Sequence, residues 1–308
     1  MAELNNNQMS EINYSDLLSK LISAGVEASE AKREISILKA ETKSQVEIEK
    51  IIKERIETRK PIQHLIGKAY FMDFEVKVNE KVLIPRPETE ILVEEAVKRL
   101  QTTDMGLQTN DRGPMTMDHG PMSHVPGPRS SCPMSQVSVL DIGTGSGIIP
   151  IALCKMIPNI KVTAIDINNE IIELAKENAK LSNTNEHITF QTCDVFSDDF
   201  EKLLKENQFS LIISNPPYIA DTNPPKQPEL KYEPKLALHG SKENKSGFIY
   251  YERIIKACNK NYGTALPLIA LEIDPPLTDK IKQLLKIHNI KNYQIIKDYN
   301  KLDRCLII

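Results

Sequence analysis

From Val137 onward, apolar runs alternate with amphipathic ones, and this limits the possible folds more than any other feature of the chain. Val137 to Ile142 reads as a strand, Ile148 to Ile157 as a helix, Lys161 to Ile167 as a strand and Glu170 to Leu181 as a helix. Ile188 to Gln191, Asp198 to Lys205 and Phe209 to Ser214 continue as strand, helix and strand. A helix near 247–261, a strand at Leu266 to Glu272 and a helix at Thr278 to His288 follow. Strands at Asn292 to Lys297 and Arg304 to Ile308 complete the run. Such alternation implies a doubly wound α/β sheet, mostly parallel. Ligands in these sheets sit at the carboxyl ends of the strands, so the loops after 142, 166, 191 and 214 share one rim.

The first of those loops is Asp141-Ile142-Gly143-Thr144-Gly145-Ser146-Gly147. A glycine turn between strand and helix lets a ligand approach the backbone and meet helix N-terminal amides. A phosphate-binding P-loop requires Gly-Lys-Ser/Thr, and Ile148 follows Gly147. A dinucleotide fingerprint requires glycine at the sixth position from Gly143, where Ile148 stands. An acidic residue two places before a G-x-G-x-G turn suits a methyl donor, S-adenosylmethionine, whose sulfonium and amino-acid groups rest against backbone and carboxylate. Asp166 ends the second strand, 21 residues after Gly145, where an acid accepts both ribose hydroxyls of an adenosine. Asp194 is placed to accept from an adenine amino group and Val195 to pack on its ring.

The fourth loop, Asn215-Pro216-Pro217-Tyr218, is the most informative. A planar nitrogen is a poor nucleophile because its lone pair is delocalised. The Asn215 side-chain oxygen and the Pro216 carbonyl can both accept from such an NH₂ group, orient it and stabilise positive charge developing on it. Pro217 stiffens the turn, and Tyr218 offers a face for a flat amide or base.

Upstream, Leu17, Leu18, Leu21 and Ile22, then Ile35, Ile37 and Leu38, then Val46, Ile48, Ile51, Ile52 and Ile56 mark three amphipathic helices ending before Pro61. Phe71, Phe74, Val76 and Val78, followed by Val82 and Ile84, read as a β-hairpin turning at Asn79-Glu80. Pro85 and Pro87 fix an extended loop, and Thr89 with its flanking glutamates starts a helix from Ile91 to Leu100. Residues 101–136 contain nine Gly or Pro and no Ile, Phe, Tyr or Trp, so they are expected to be a disordered insertion. His119, His124 and Cys132 within it match no ligand spacing, and no metal site is expected.

Composition narrows the function classes. Lys+Arg 39 against Asp+Glu 42 gives a net charge of −3 over 308 residues, which argues against broad clinging to nucleic acid or anionic lipid. Mean hydropathy is −0.33, and no apolar run approaches the ~20 residues of a spanning helix. The stretch from Met1 to Asn13 has neither a basic n-region nor an apolar core, so no secretory signal is visible. Five cysteines without a C-x-x-C suit a reducing cytoplasm.

Taken together these residues resemble the peptide chain release factor N5-glutamine methyltransferases. Pro61-Ile62-Gln63-His64-Leu65-Ile66-Gly67 with Phe71 resembles that family's interdomain linker. Val82-Leu83-Ile84-Pro85-Arg86-Pro87-Glu88-Thr89-Glu90 resembles its most distinctive segment. Tyr232-Glu233-Pro234 with Ala237-Leu238 is similar to a later loop, and Asp298 with Asp303-Arg304 to its C-terminal strands. The resemblance implies a class I S-adenosylmethionine-dependent methyltransferase fold of seven strands, with an N-terminal helical bundle and a β-hairpin linker. It implies a docking domain at 1–66, the linker at 67–87 and the catalytic domain at 88–308. It further implies methyl transfer to the side-chain amide N5 of the glutamine in the Gly-Gly-Gln motif of release factors. Asp141, Gly143 to Gly147, Asp166, Asp194, Val195 and Asn215 would then bind the donor. Arg86, Pro87, Glu88, Asn215, Pro216, Pro217, Tyr218, Glu233 and Pro234 would meet the substrate. Release factors are the expected partners, with a cytoplasmic monomer and neither membrane nor sequence-specific nucleic-acid binding. The chain departs from the family pattern in the insertion, at Ser241 to Lys245, at Asp274-Pro275-Pro276 and at Lys301-Leu302.

Two other classes share parts of this pattern. Adenine-N6 methyltransferases of DNA or RNA also use Asn-Pro-Pro-Tyr, on a flipped base, but need a positive groove. A methyltransferase fold retained as a partner-binding scaffold would not need Asn215 and Asp166.

Overall fold

The computed structural model of the protein describes residues 12–41, 44–106, 136–220, 227–240 and 246–308. Three amphipathic helices open it: α1 (Tyr14–Ser23), α2 (Ala28–Ala40) and α3 (Gln45–Thr58). The Asn13 side chain caps α1, and Ser44 with Glu47 forms a capping box at α3, which satisfies amides left over at each helix start. Leu17, Leu21, Ile35, Leu38, Ile48 and Ile52 pack with Ile62 into a core of their own. Val46, expected on the apolar face, is 76% exposed. It lies two residues before Ile48, on the opposite side of the helix. A short helix, α4 (Ile62–Ile66), occupies the stretch that resembled only a linker.

The hairpin turns earlier than expected. Its strands are β1 (Lys68–Phe71) and β2 (Phe74–Lys77), joined through Met72 and Asp73, not through Asn79-Glu80. Met72 takes a φ of 51°, so the two phenylalanines meet edge to face at 5.8 Å. Inward Phe74, Val76 and Val78 belong to one continuous alternation. Val82 and Ile84 are buried beyond it, outside any strand.

Helix α5 (Pro87–Gly106) is longer than Ile91 to Leu100. Pro87 suits a first helical turn, where its missing N–H is not needed. At the other end the helix continues through 101–106, so the segment expected to be disordered from 101 begins as helix. The rest of that segment, with His119, His124 and Cys132, lies outside the described residues, as does 241–245.

Then comes the alternation: β3 (Val137–Ile142), α6 (Ile148–Met156), β4 (Ile160–Asp166), α7 (Asn169–Leu181), β5 (Ile188–Thr192), α8 (Asp198–Glu206) and β6 (Leu211–Ser214). A 3-10 turn at Pro228–Tyr232 precedes α9 (Lys235–His239) and α10 (Ile249–Tyr262). The chain ends with β7 (Leu268–Glu272), a 3-10 turn, α11 (Thr278–Ile287), β8 (Gln294–Lys297) and β9 (Asp303–Ile307). These seven strands form one sheet ordered β5-β4-β3-β6-β7-β9-β8, antiparallel only where β9 meets β7 and β8. This is the doubly wound sheet that the alternation predicts.

Period-2 alternation divides the core. Val137 and Val139 pack with α5 and α6 on one face, while Leu140 and Ile142 pack with α8, α10 and α11 on the other. Strand order reverses between β3 and β6, which run side by side with Ile142 opposite Ser214. That reversal opens a crevice at their carboxyl ends, the place where such sheets bind ligands. Among the described residues, no helix is long and apolar enough to cross a membrane.

Candidate active site

Two cavities occupy this rim and meet at Leu83, Asn215, Pro216 and Ala237. The first, about 340 Å³, lies over the crevice, within the usual size range of small-molecule sites. The glycine turn forms its floor. Gly143 and Gly145 have positive φ values of 73° and 55°, and nothing lies within 4 Å of where a Cβ would stand on either. Both amides at 143 and 144 donate to the Ile165 carbonyl, at 2.8 and 2.9 Å, which ties the turn to the end of β4. Asp166 follows directly. Its Oδ2 accepts from the Gly145 N–H at 3.1 Å and its Oδ1 from Asn168 N–H at 3.2 Å. Burial pushes its carboxyl above the ordinary range, against the pull of these amides. Val195 and Asp194 line the opposite wall with Ile254 and Tyr250. Asp194 also accepts from the Phe196 N–H at 2.9 Å through Oδ1, so part of its capacity shapes its own turn.

The cavity does not bring together every residue expected to bind the donor. Asp141, Thr144, Ser146 and Gly147 stand behind its wall instead of lining it. Gly147 has no side chain because α7 passes close: a Cβ there would come within 3.2 Å of Ala175 Cβ. The Ser146 carbonyl accepts from Asn178 Nδ2 at 2.8 Å, and Asn178 is itself fully buried. Asp141 is fully enclosed, and burial raises its carboxyl to about 7. The Thr144 hydroxyl relieves it slightly while falling short of hydrogen-bond geometry. These four residues fix the shape of the turn from behind.

The second cavity, about 390 Å³, runs from the shared wall to the helical bundle. Arg86, Pro87, Glu88, Tyr218 and Glu233 line it. Pro217 and Pro234 line the first cavity instead, while Asn215 and Pro216 border both. The extended Pro-Arg-Pro loop is anchored from across the groove: Arg86 pairs with buried Glu233, whose Oε2 also accepts from Ile84 N–H at 3.1 Å. Glu30, Arg33 and Glu34 of α2 form the far wall. Behind them Arg55, wholly buried, donates to Glu34 at 2.8 Å and to Glu229 at 3.1 Å. Burial pushes the Glu34 carboxyl upward against that partner's attraction. These ions and the Tyr232 hydroxyl, which donates to the Thr58 carbonyl at 2.6 Å, fasten the bundle to the 227–240 segment.

Asn215 sits where the cavities join. Ser214 Oγ donates to the Ile142 carbonyl at 2.7 Å and pins β6 to β3 just before it. Asn215 Nδ2 donates to Thr89 Oγ1 at 3.1 Å, and Thr89 Oγ1 donates to Glu272 Oε2 at 2.7 Å. The other oxygen of Glu272 accepts from the Tyr218 hydroxyl at 3.2 Å. Glu272 is fully buried at the end of β7, and burial lifts its carboxyl to about 7 despite these donors. Desolvation likewise pushes the Tyr218 phenol well up. Gly247 closes the turn from outside; a Cβ there would lie 2.0 Å from the Tyr218 carbonyl oxygen.

Thr89, Glu272, Leu83 and Ala237 did not stand out in the sequence as site residues. Glu272 carried a usable signal, a carboxylate ending an apolar strand, the same feature that marks Asp166.

The residues on the first cavity fit S-adenosylmethionine: open space over two glycines, two acids and apolar walls share one chamber. Residues 130–227 match the model of the Methyltransferase small domain. Over 256 residues the chain is 33% identical to the release factor glutamine methyltransferase of Chlorobaculum tepidum, covering 82% of this chain and 76% of that protein. The protein of that name from Thermodesulfovibrio yellowstonii is 31% identical, with coverage of 85% and 80%. The one from Streptococcus pneumoniae is 34% identical, with coverage of 83% and 77%. Among solved structures, the catalytic domain of hMettl16 in complex with a MAT2A 3'UTR hairpin superposes with a TM-score of 0.51. At 14% identity, covering 83% of this chain and 81% of that one, the likeness is one of fold alone.

Proposed function

Because the chain belongs to the release factor glutamine methyltransferase family, we propose that it transfers a methyl group from S-adenosylmethionine to the side-chain amide nitrogen of a glutamine in a peptide chain release factor. The acceptor is the N5 of the Gly-Gly-Gln glutamine. The observation that supports this reading best is the position of Asn215, on the wall shared by two cavities. One chamber suits an adenosine and the other opens to protein surface.

When bound, the donor supplies an electrophilic methyl group on a sulfonium. The chain's own residues do the rest. The backbone at Gly143 and Gly145 leaves room for close approach, and Asp166 accepts from the ribose hydroxyls. Asp194 and Val195 take the adenine. From the second cavity, the substrate amide donates to Asn215 Oδ1 and the Pro216 carbonyl. Both oxygens sharpen as acceptors when positive charge grows on the attacking nitrogen. Pro217 keeps the turn rigid, and the Tyr218 ring supports the flat amide. Arg86, Pro87 and Glu88 line the approach, and the bundle (1–66) docks the rest of the release factor through the wall formed by α2.

The net charge of −3 supports a protein substrate over a nucleic acid, and a cytoplasmic monomer completes the reading. The test is transfer of label from S-adenosylmethionine to a purified release factor, with DNA and RNA as parallel acceptors. Label is expected in the release factor alone; label in nucleic acid alone contradicts the reading.

A further inference from the structure

We propose that Thr89 and Glu272 are positioning residues for methyl transfer, setting through one chain of hydrogen bonds which end of the Asn215 amide faces the substrate. The proposal rests on the function inferred above. A side-chain amide presents an acceptor on one side and two donors on the other, and nothing in its shape prefers either orientation. Holding a substrate NH₂ requires the oxygen to face the groove.

The polarity is imposed from behind. Glu272 ends β7, fully buried, and its Oε2 accepts the one proton of the Thr89 hydroxyl at 2.7 Å. While Glu272 is ionised, Thr89, 1% exposed in the first turn of α5, has only lone pairs left to offer. Toward those lone pairs Asn215 can present only Nδ2, which it does at 3.1 Å. Oδ1 is therefore turned away from Thr89. The second oxygen of Glu272 accepts from Tyr218 at 3.2 Å, so both ends of the Asn-Pro-Pro-Tyr turn hang from one carboxylate. Thr89 stands inside the Pro-Arg-Pro-Glu-Thr segment, so the same chain of bonds couples the substrate loop to the catalytic turn.

The test is steady-state kinetics of the full chain on a release factor, with donor affinity measured by calorimetry. Thr89→Val keeps the side chain's shape and removes the hydroxyl. It is expected to lower kcat by about 10- to 100-fold and to leave donor affinity within about two-fold. Thr89→Ser restores the hydroxyl and should recover kcat to within a few-fold. Thr89→Ala repeats the comparison in case the branched side chain is not accommodated. The decisive readout is the double variant. If Thr89 acts through Asn215, Thr89→Val adds no more than about a two-fold loss in an Asn215→Ala background. Losses that multiply, or normal turnover by Thr89→Val, overturn the proposal. Absence of wild-type turnover on the release factor overturns the functional reading and this proposal together, whereas normal Thr89→Val turnover beside an active wild type overturns the positioning role alone.

Discussion

Asp166 has two tasks on one carboxylate. It accepts from Gly145 and Asn168 amides, and by the functional reading it also accepts from the ribose. Asp166→Ala should weaken donor binding by about one to two orders of magnitude, the loss of charge-assisted bonds worth roughly 1.5–3 kcal/mol each. Asp166→Asn keeps an acceptor and should lose less; calorimetry separates the two, and equal affinity for wild type and Asp166→Ala contradicts the role. Asn215→Ala behaves differently. Its kcat should fall by about 10²–10³ with donor affinity nearly unchanged, because on the proposed reading the donor rests mainly on the glycine turn and Asp166. Both residues stood out in the sequence because each is a polar side chain at or just after the end of an apolar strand. Thr89 and Glu272 were not, since the two bonded side chains lie 183 positions apart, and no local pattern spans that distance. Asp141 lies outside the lining of the first cavity for a related reason. Its place two residues before the glycines is visible, but the alternation along β3 that sends it into the interior decides its surroundings.

At the level of elements, the parallel sheet was readable to within a residue or two because burial on both faces leaves long apolar runs. The hairpin was readable as strand but not in its turn. Asn79-Glu80 has turn-forming chemistry, whereas Met72, which takes the positive φ beside the Phe71–Phe74 contact, is not a turn-forming residue type. The short helices α4 and α9 have five residues each, too few for periodicity to show. Gly247 gives an element-scale prediction. With φ of 70° and the Tyr218 carbonyl where its Cβ would be, Gly247→Ala must push the catalytic turn away from α10. It should cost more than about 1 kcal/mol of stability and lower turnover as well; an unchanged melting temperature and rate contradict the close approach.

Across the whole molecule, the two lobes are joined by buried charge. Arg55 is fully enclosed between Glu34 and Glu229; Arg55→Ala leaves Glu229 with Arg59 at 2.6 Å but strands the buried Glu34, and should cost about 3–5 kcal/mol, seen as a lower melting temperature. Because Glu34 and Glu229 also border the groove, KM for the release factor should rise while donor affinity is kept. Buried acids also set a pH dependence. Asp141 and Glu272 titrate near 7 when folded, above their unfolded values, so between those limits the folded state binds more protons. Stability from these groups is therefore greatest at low pH and is lost as pH rises through about 7. His64, pushed down to about 4 by burial, acts oppositely, but only below its unfolded value near 6.5. The melting temperature should thus be higher at pH 6.5 than at 8.5; the reverse order contradicts the burial of those carboxylates. The same two-lobed geometry leads to the most direct test of function, mass-spectrometric mapping of the methyl group after incubation with S-adenosylmethionine and an intact release factor. The expected result is one methyl on the side-chain nitrogen of the Gly-Gly-Gln glutamine, strongly reduced with Asn215→Ala. A methyl group on another residue, or equal modification by wild type and Asn215→Ala, would contradict it.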